Sequence, residues 1–198
     1  MRVKQIFYTV SFLLINNVFA VFSNNFIIAG KPQILKNNVV EVYGHRGARS
    51  FAPENSIIGY QTALKIGVNW VDMDVGVSKD GQVIVYHDMW INPDFTSKRG
   101  KFLANSNKEF IEKMGQNKDI LIEPYLIKNL TYKEIELYDV GILNPNSPYK
   151  TYFKNQYMVP GTKIPLVQDV INYIDSISNK EVNYQIEIKN DPTRPKYM

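Results

Sequence analysis

The chain has 198 residues, 44% of them hydrophobic, and a formal net charge of +4. This composition is sufficient for one domain with a buried core and argues against an intrinsically disordered chain. Positive and negative residues are interleaved, so the charge does not favour a nucleic-acid or membrane-surface partner, and the absence of cysteine excludes disulfide bonds.

The N-terminus has the pattern of a secretory signal peptide. Arg2 and Lys4 precede an apolar run over residues 6–14, and Val18-Phe19-Ala20 offers a small-residue cleavage site. The alternative is an uncleaved membrane anchor, although the run is short for a span of about 20 residues. We therefore expect residues 1–20 to be a signal peptide, the mature protein to be secreted or periplasmic, and no stable membrane span to remain after cleavage.

After a polar lead-in at residues 21–38, the remaining residues, 39–198, alternate between strand and helix patterns. In chain order, the first part predicts a strand at Val39–Tyr43, a helix that begins after Asn55 or Ser56 and ends at Gly67, a strand at Trp70–Val77, a turn at Lys79–Gly81 and a strand at Val83–Tyr86. This order is typical of an α/β fold with parallel strands.

A long insertion is predicted at about residues 89–163, where prolines interrupt a segment rich in Asn, Lys and Tyr. Within it, Thr131 is expected to cap a short helix that runs through Leu137. The α/β pattern then resumes with an amphipathic helix from Val167 and a strand at Tyr184–Lys189.

Carboxylates recur on one face of two predicted strands. Side chains alternate along a strand, so Asp72 and Asp74 share a face, as do Glu187 and Lys189. If the strands belong to a parallel barrel, their carboxyl ends meet at its mouth, and Asp72, Asp74 and Glu187 would form an all-oxygen cluster suited to Ca²⁺ or Mg²⁺ rather than zinc. The alternative for Asp72 and Asp74 is a solvated strand face.

The chain has two histidines, and each has neighbours that favour a role in proton-transfer chemistry. His45 lies between two glycines and precedes Arg46, whose planar guanidinium suits a phosphate group. His87 precedes Asp88, and histidine is the side chain most easily poised as an acid or base near neutral pH. The alternatives are a structural role for His45, a local hydrogen bond between His87 and Asp88, and metal ligation by either histidine.

Short motifs along the chain together resemble those of a known family. They are, in chain order, His45-Arg46-Gly47, Pro53-Glu54-Asn55-Ser56, Asp72-Met73-Asp74-Val75, Ser78-Lys79-Asp80-Gly81, His87-Asp88 and Ile186-Glu187-Ile188-Lys189. This order and spacing resemble the glycerophosphodiester phosphodiesterase family, and Asn92-Pro93-Asp94, Tyr138-Asp139-Val140-Gly141 and Ile164-Pro165-Leu166 are similar to a secreted bacterial branch of it. The resemblance extends over residues 39–195.

The resemblance implies a TIM (β/α)8 barrel that hydrolyses glycerophosphodiesters to glycerol 3-phosphate and an alcohol with the help of a divalent cation, Ca²⁺ or Mg²⁺. It also implies a role for each matching residue. His45 and His87 become the general acid/base pair. The implied metal ligands are Asp72, Asp74 and Glu187, the implied phosphate-binding residues are Arg46 and Lys189, and Glu54 supports them.

Two features depart from the family pattern. Asp72 stands where the family usually has Glu, so its carboxylate has a shorter reach to a cation. A closed barrel needs about 250 residues, so we expect this chain to be the N-terminal portion of a barrel, truncated after the third barrel strand. Such a portion should have little activity alone. We expect a second chain that carries the rest of the barrel to be its partner. One alternative is a lipid head-group phosphodiesterase of phospholipase C or D type, and another is a non-catalytic remnant of such an enzyme. As an enzyme of either kind, the protein would act on a small-molecule phosphodiester.

Overall fold

The computed structural model describes residues 40–113, 122–178 and 181–190. The predicted signal peptide at 1–20, the lead-in at 21–38 and Val39 lie outside these ranges. Within them, no helix has both the length and the apolar character needed to cross a membrane.

The described elements alternate between short strands and helices. In chain order they are β1 (Tyr43–Gly44), α1 (Ile57–Ile66), β2 (Trp70–Val77), β3 (Val83–Val85), β4 (Ser97–Lys98), β5 (Lys101–Phe102), α2 (Asn107–Lys113), 3-10 turns at Glu123–Tyr125 and Ile127–Asn129, α3 (Tyr132–Ile135), β6 (Tyr138–Asp139), α4 (Pro148–Tyr152), α5 (Val167–Ser178) and β7 (Asn183–Ile188).

The strand β2 is the centre of the main sheet. It pairs in parallel with β1 and, over Trp70–Val75, with β7. The prediction of parallel strands is thus correct for β1, β2 and β7, whereas the C-terminal end of β2 pairs antiparallel with β3. The turn at Lys79–Gly81 explains the difference, because a parallel connection needs a crossover of a dozen or more residues.

The helix α1 begins and ends at the residues that its sequence indicates. The Ser56 hydroxyl accepts a hydrogen bond from the backbone N–H of Gly59 at 3.0 Å, so Ser56 rather than Asn55 is the N-cap. Gly67 closes the helix in the left-handed conformation at φ 87°. The caps fix the length of the connection between β1 and β2 and therefore the position of the loop that precedes α1.

Alternate side chains of β2 separate the apolar core from the polar face of the sheet. Val71, Met73 and Val75 are buried in a cluster with residues of the two long helices, namely Tyr60 of α1 and Val170 and Ile174 of α5. The same alternation leaves Asp72 and Asp74 on the opposite face, towards the loop between β1 and α1.

The segment between β3 and α5 forms a second structural layer. Its strands β4, β5 and β6 make a small antiparallel sheet. Its largest apolar cluster includes Ile84 of β3 and Tyr86, so it packs directly on the end of the main sheet. A capping box at Thr131 starts α3 as predicted, although the helix ends at Ile135 rather than Leu137.

The loop between β1 and α1 lies against α1 because two glycines meet. Gly47 has φ +80°, and a Cβ atom placed on it would lie 2.8 Å from the backbone carbon of Gly59. A side chain on Gly59 would in turn meet the Pro53 carbonyl oxygen at 2.4 Å. The close approach holds His45 and Arg46, just before Gly47, in a fixed position beside the sheet.

We expect Gly47→Ala to lower the free energy of unfolding by about 2–5 kcal/mol, because it combines backbone strain with a steric clash. Gly81→Ala is the matched control: Gly81 has φ +78°, but a Cβ atom there meets nothing within 4 Å. The control should therefore cost only the strain, about 1–2 kcal/mol. Urea denaturation of both variants measures the difference, and equal losses would contradict the close-packing argument.

Candidate active site at the ends of the parallel strands

The predicted site residues on β1, β2 and β7 lie on one side of the sheet. His45 and Arg46 directly follow β1, and the pairing of β2 with β7 places Asp74 opposite Glu187. Asp72 and Asp74 are only 6% and 1% exposed. The alternative of a solvated strand face for these two residues is therefore wrong.

Arg46 holds the two aspartates to the loop between β1 and α1. Its backbone, at φ +53°, donates an N–H hydrogen bond of 3.2 Å to Asp72 Oδ2. Its side chain donates from one terminal nitrogen to Glu54 Oε1 at 2.9 Å. The Arg46 Nε lies 3.1 Å from Asp74 Oδ2 as an ion pair, although the angle is too poor for a hydrogen bond. The guanidinium is thus committed to two carboxylates.

Asp74 is the most highly connected carboxylate of the site. The Asn55 side-chain amide donates to its Oδ2 at 2.8 Å, and Lys189 Nζ lies 3.2 Å from its Oδ1. Burial alone would raise the pKa of Asp74, but the hydrogen bond from Asn55 and the positive charges of Arg46, His87 and Lys189 outweigh it and lower the pKa. Asp74 is therefore a stable anion in the fold.

Asp72 has the opposite electrostatic environment. Burial raises its pKa most, the hydrogen bond from the Arg46 backbone acts against this, and the negative charges of Asp74 and Glu187 raise it further. His45 Nε2 lies 3.9 Å from Asp72 Oδ2. The cluster therefore carries more negative charge around Asp72 than its own basic groups neutralise.

The His45 imidazole is held in its neutral form. Burial lowers its pKa most, and the positive charges of Arg49 and Arg46 lower it further, against the opposing charges of Asp74 and Glu54. A neutral imidazole at neutral pH can accept a proton. The geometry therefore suits His45 to the base half of an acid/base pair.

His87 contacts the carboxylate of the residue that follows it. Its Nδ1 lies 3.1 Å from Asp88 Oδ1, and the Asn92 amide donates to Asp88 Oδ2 at 2.6 Å. This local contact was one of the alternatives for His87, but it is compatible with a role in catalysis. A carboxylate at Nδ1 orients the ring and favours a proton on that nitrogen, which leaves Nε2 for substrate.

The predicted metal ligands are near one another, but a lysine lies between two of them. Lys189 Nζ is 2.6 Å from Glu187 Oε1 and 3.2 Å from Asp74 Oδ1. Among the described residues, no group of three or more His, Asp or Glu side chains has the arrangement of a formed metal site. The donor set is nonetheless suitable for a hard cation, because two carboxylates already share one cationic group and Asp72 has unbalanced negative charge.

The insertion contributes a residue that the sequence did not indicate. Tyr149 of α4 donates a very short hydrogen bond to Glu54 Oε2, the oxygen that Arg46 leaves free. Burial and the negative charge of Glu54 raise the pKa of Tyr149, so it remains a hydroxyl donor. Tyr149 has no local sequence signal, whereas Asn55 could have been assigned from its place directly after Glu54.

Comparisons with known proteins agree on one family. Residues 45–197 match the model of the glycerophosphoryl diester phosphodiesterase family. The glycerophosphodiester phosphodiesterase of Bacillus subtilis is 28% identical over 167 residues, which are 84% of this chain and 46% of that protein. A crystal structure from Silicibacter pomeroyi, assigned to the same family, has a TM-score of 0.66 and 26% identity, and the match covers 80% of this chain and 48% of the other.

The chain spans about half the length of the relatives that it matches. The match to solved structures confirms a mixed α/β fold of this family, which is consistent with the expected TIM barrel. The truncated barrel and the second chain stay predictions, as do the individual roles of the site residues.

Asp74→Asn and Asp72→Asn make the same chemical change, but we expect them to change the free energy of unfolding in opposite directions when no divalent cation is present. Asp74→Asn removes a stabilised anion and should lower the free energy of unfolding at pH 7 by about 1–3 kcal/mol. Asp72→Asn removes a carboxylate that the fold prefers protonated and should raise that free energy.

The pH dependence follows from the directions of the two pKa shifts. Asp74 stabilises the fold fully above its ordinary pKa of 3.8, and this stabilisation is lost as pH falls through its lowered folded-state pKa. The destabilisation by ionised Asp72 also vanishes below pH 3.8, where the carboxyl is protonated in both states. Urea denaturation between pH 7 and pH 3 in EDTA measures both effects, and changes of the same sign at pH 7 would contradict this account.

We expect Tyr149→Phe to lower the free energy of unfolding by about 1–3 kcal/mol, because Glu54 loses a buried hydrogen-bond donor. Tyr152→Phe on the same helix is the matched control, since Tyr152 is 77% exposed. Thermal or chemical denaturation of the two variants gives the comparison. Equal stability of both variants would show that the contact between Tyr149 and Glu54 contributes nothing.

Proposed function

Because this chain belongs to the glycerophosphoryl diester phosphodiesterase family, we propose that its site hydrolyses glycerophosphodiesters to glycerol 3-phosphate and an alcohol. The observation that carries this proposal is the pair of differently held histidines beside the buried carboxylates. His45 is kept neutral, and His87 is held by Asp88. Such a pair can take a proton on one side of a phosphodiester and give one on the other.

The roles of the two histidines follow from their environments. Neutral His45 accepts the proton of the nucleophile, which is a water molecule or the neighbouring hydroxyl of the substrate. His87, whose ring is oriented by Asp88, donates a proton to the alcohol oxygen as the phosphorus–oxygen bond breaks. Each transfer contributes roughly 10²–10⁴-fold to the rate.

We propose that Asp72, Asp74 and Glu187 hold a divalent cation, Ca²⁺ or Mg²⁺. When bound, the cation supplies positive charge to the non-bridging oxygens of the phosphate. Its support is the all-carboxylate donor set and the unbalanced charge at Asp72. Lys189 contacts Asp74 and Glu187, so its ammonium group lies between two of the residues that would hold the cation.

A lipid head-group phosphodiester is the second candidate substrate. The loop between β1 and α1 exposes Phe51, whose carbonyl accepts from the Tyr157 backbone, and Tyr157 and Met158 are more than 40% exposed. Exposed apolar groups beside the site suit an acyl chain better than they suit a small polar alcohol. This feature supports a test with a lysophospholipid.

Secretion or export to the periplasm remains part of the proposal. Its support is the signal-peptide pattern over residues 1–20. The small-molecule phosphodiester substrate is supported by the names of the relatives, whose own activity is the hydrolysis of such diesters.

We expect the purified chain to release glycerol 3-phosphate from glycerophosphocholine only with Ca²⁺ or Mg²⁺, and more slowly than the Bacillus subtilis relative assayed beside it. His45→Asn and His87→Asn should each reduce the rate by roughly 10²–10⁴-fold. Glu136→Gln, an exposed carboxylate outside the site, is the control and should leave the rate unchanged. Lysophosphatidylcholine in the same assay tests the lipid candidate.

Two outcomes would contradict the proposal. Stabilisation of the fold by the cations without any turnover would favour a non-catalytic binding protein. Turnover that persists in both histidine variants would show that the acid/base assignment is wrong.

A further inference from the structure

The two basic residues assigned to phosphate binding are already paired with carboxylates. Arg46 contacts Glu54 and Asp74, and Lys189 contacts Asp74 and Glu187. A guanidinium whose donors face two carboxylates has little positive charge left for an anionic ligand. A basic group without such carboxylate partners is therefore the better candidate for a side-chain contact with an anionic ligand.

Arg49 is a cation in the same loop with no such commitment. Its nearest carboxylate oxygen among the described residues is Glu54 Oε2, which lies 3.8 Å from Nε, beyond hydrogen-bond distance. The Nε is buried, and no group in the described ranges accepts a hydrogen bond from it. The Arg49 side chain as a whole is 18% exposed, so it is mostly buried but still reaches solvent.

Two aromatic rings of the insertion hold Arg49 in place. Its Cζ lies 4.4 Å from the centre of the Phe153 ring and 5.7 Å from that of Tyr149. The Gln156 amide also donates to the Arg49 backbone oxygen at 2.7 Å. Stacking on rings stabilises a guanidinium without using its N–H donors. The insertion thus holds the Arg49 guanidinium in place without accepting hydrogen bonds from its N–H groups.

Arg49 lies in the same loop as His45 and Arg46, between β1 and α1. It faces the Glu54 carboxylate that Arg46 also contacts: Arg46 Nη1 is 2.9 Å from Oε1, and Arg49 Nε is 3.8 Å from Oε2. The two guanidinium groups therefore lie at one carboxylate, and the rings of the insertion pack on that of Arg49. The planar fork of arginine can bind two oxygens of one phosphate.

From this geometry we propose that Arg49 is a substrate-binding residue whose guanidinium contacts the phosphate group of the phosphodiester beside His45. The inference rests on the proposed function and extends it, because it assigns the phosphate contact to a residue fixed by the insertion. It also gives the insertion a part in the choice of substrate. The competing explanation is that Arg49 only attaches the insertion to the loop between β1 and α1.

Anion binding to the full chain separates the two explanations. Titration calorimetry with sn-glycerol 3-phosphate and with inorganic phosphate is performed on the wild type, Arg49→Gln, Arg49→Lys and Lys150→Gln. The last variant is the control, because it removes one positive charge from an exposed position on α4. Thermal unfolding of each variant reports whether it is folded.

We expect Arg49→Gln to weaken the binding of both anions by about 10- to 100-fold, the value of a charge-assisted hydrogen bond. Arg49→Lys should lose less, because it keeps the charge but not the fork. Lys150→Gln should stay within about twofold of the wild type, because solvent screens an exposed charge.

Unchanged anion affinity in Arg49→Gln, with or without a lower melting temperature, would overturn the inference and leave the proposed function intact. If Arg49→Gln does not fold, Arg49→Lys decides, and wild-type affinity in that variant overturns the inference. Failure of the wild type to bind either anion would overturn the inference and the proposed function together.

Discussion

The buried negative charge of Asp74 is the constraint on which the rest of the site depends. A carboxylate that is 1% exposed is stable in the fold only if other groups compensate its lost hydration. Asn55, Arg46 and Lys189 supply that compensation from two separate parts of the chain. The requirement to compensate one charge thus joins the loop after β1, the centre of β2 and the end of β7.

The features that the sequence predicted well are those with a short repeat or a local signal. Period-two alternation gave the bounds of β2 correctly and showed which of its faces is apolar. Ser56 and Gly67 have side-chain and backbone properties that mark the ends of a helix wherever it packs. The short motifs indicated the family through their order and spacing along the chain.

The features that the sequence did not predict depend on contacts between distant residues. Its place next to a histidine suggested that Arg46 could bind a phosphate group, and the family resemblance implied the same for Lys189. Whether either cation is available depends on which carboxylates the fold brings to it. Tyr149 and Arg49 act through a contact between the insertion and the first loop. No periodicity or spacing encodes such a contact, because it arises only from tertiary packing.

The pairing of Tyr149 with Glu54 has a consequence for the order of folding. The two residues are 95 positions apart, and Asp74 meets Lys189 over a comparable separation. Contacts of such high contact order form only after the entropy of closing a long loop has been overcome. During synthesis, a ribosome-bound chain can complete α1 and β2 while Glu54 and Asp74 still lack Tyr149 and Lys189. The carboxylate cluster is therefore completed late in the life of the chain, after the most distant segments have docked.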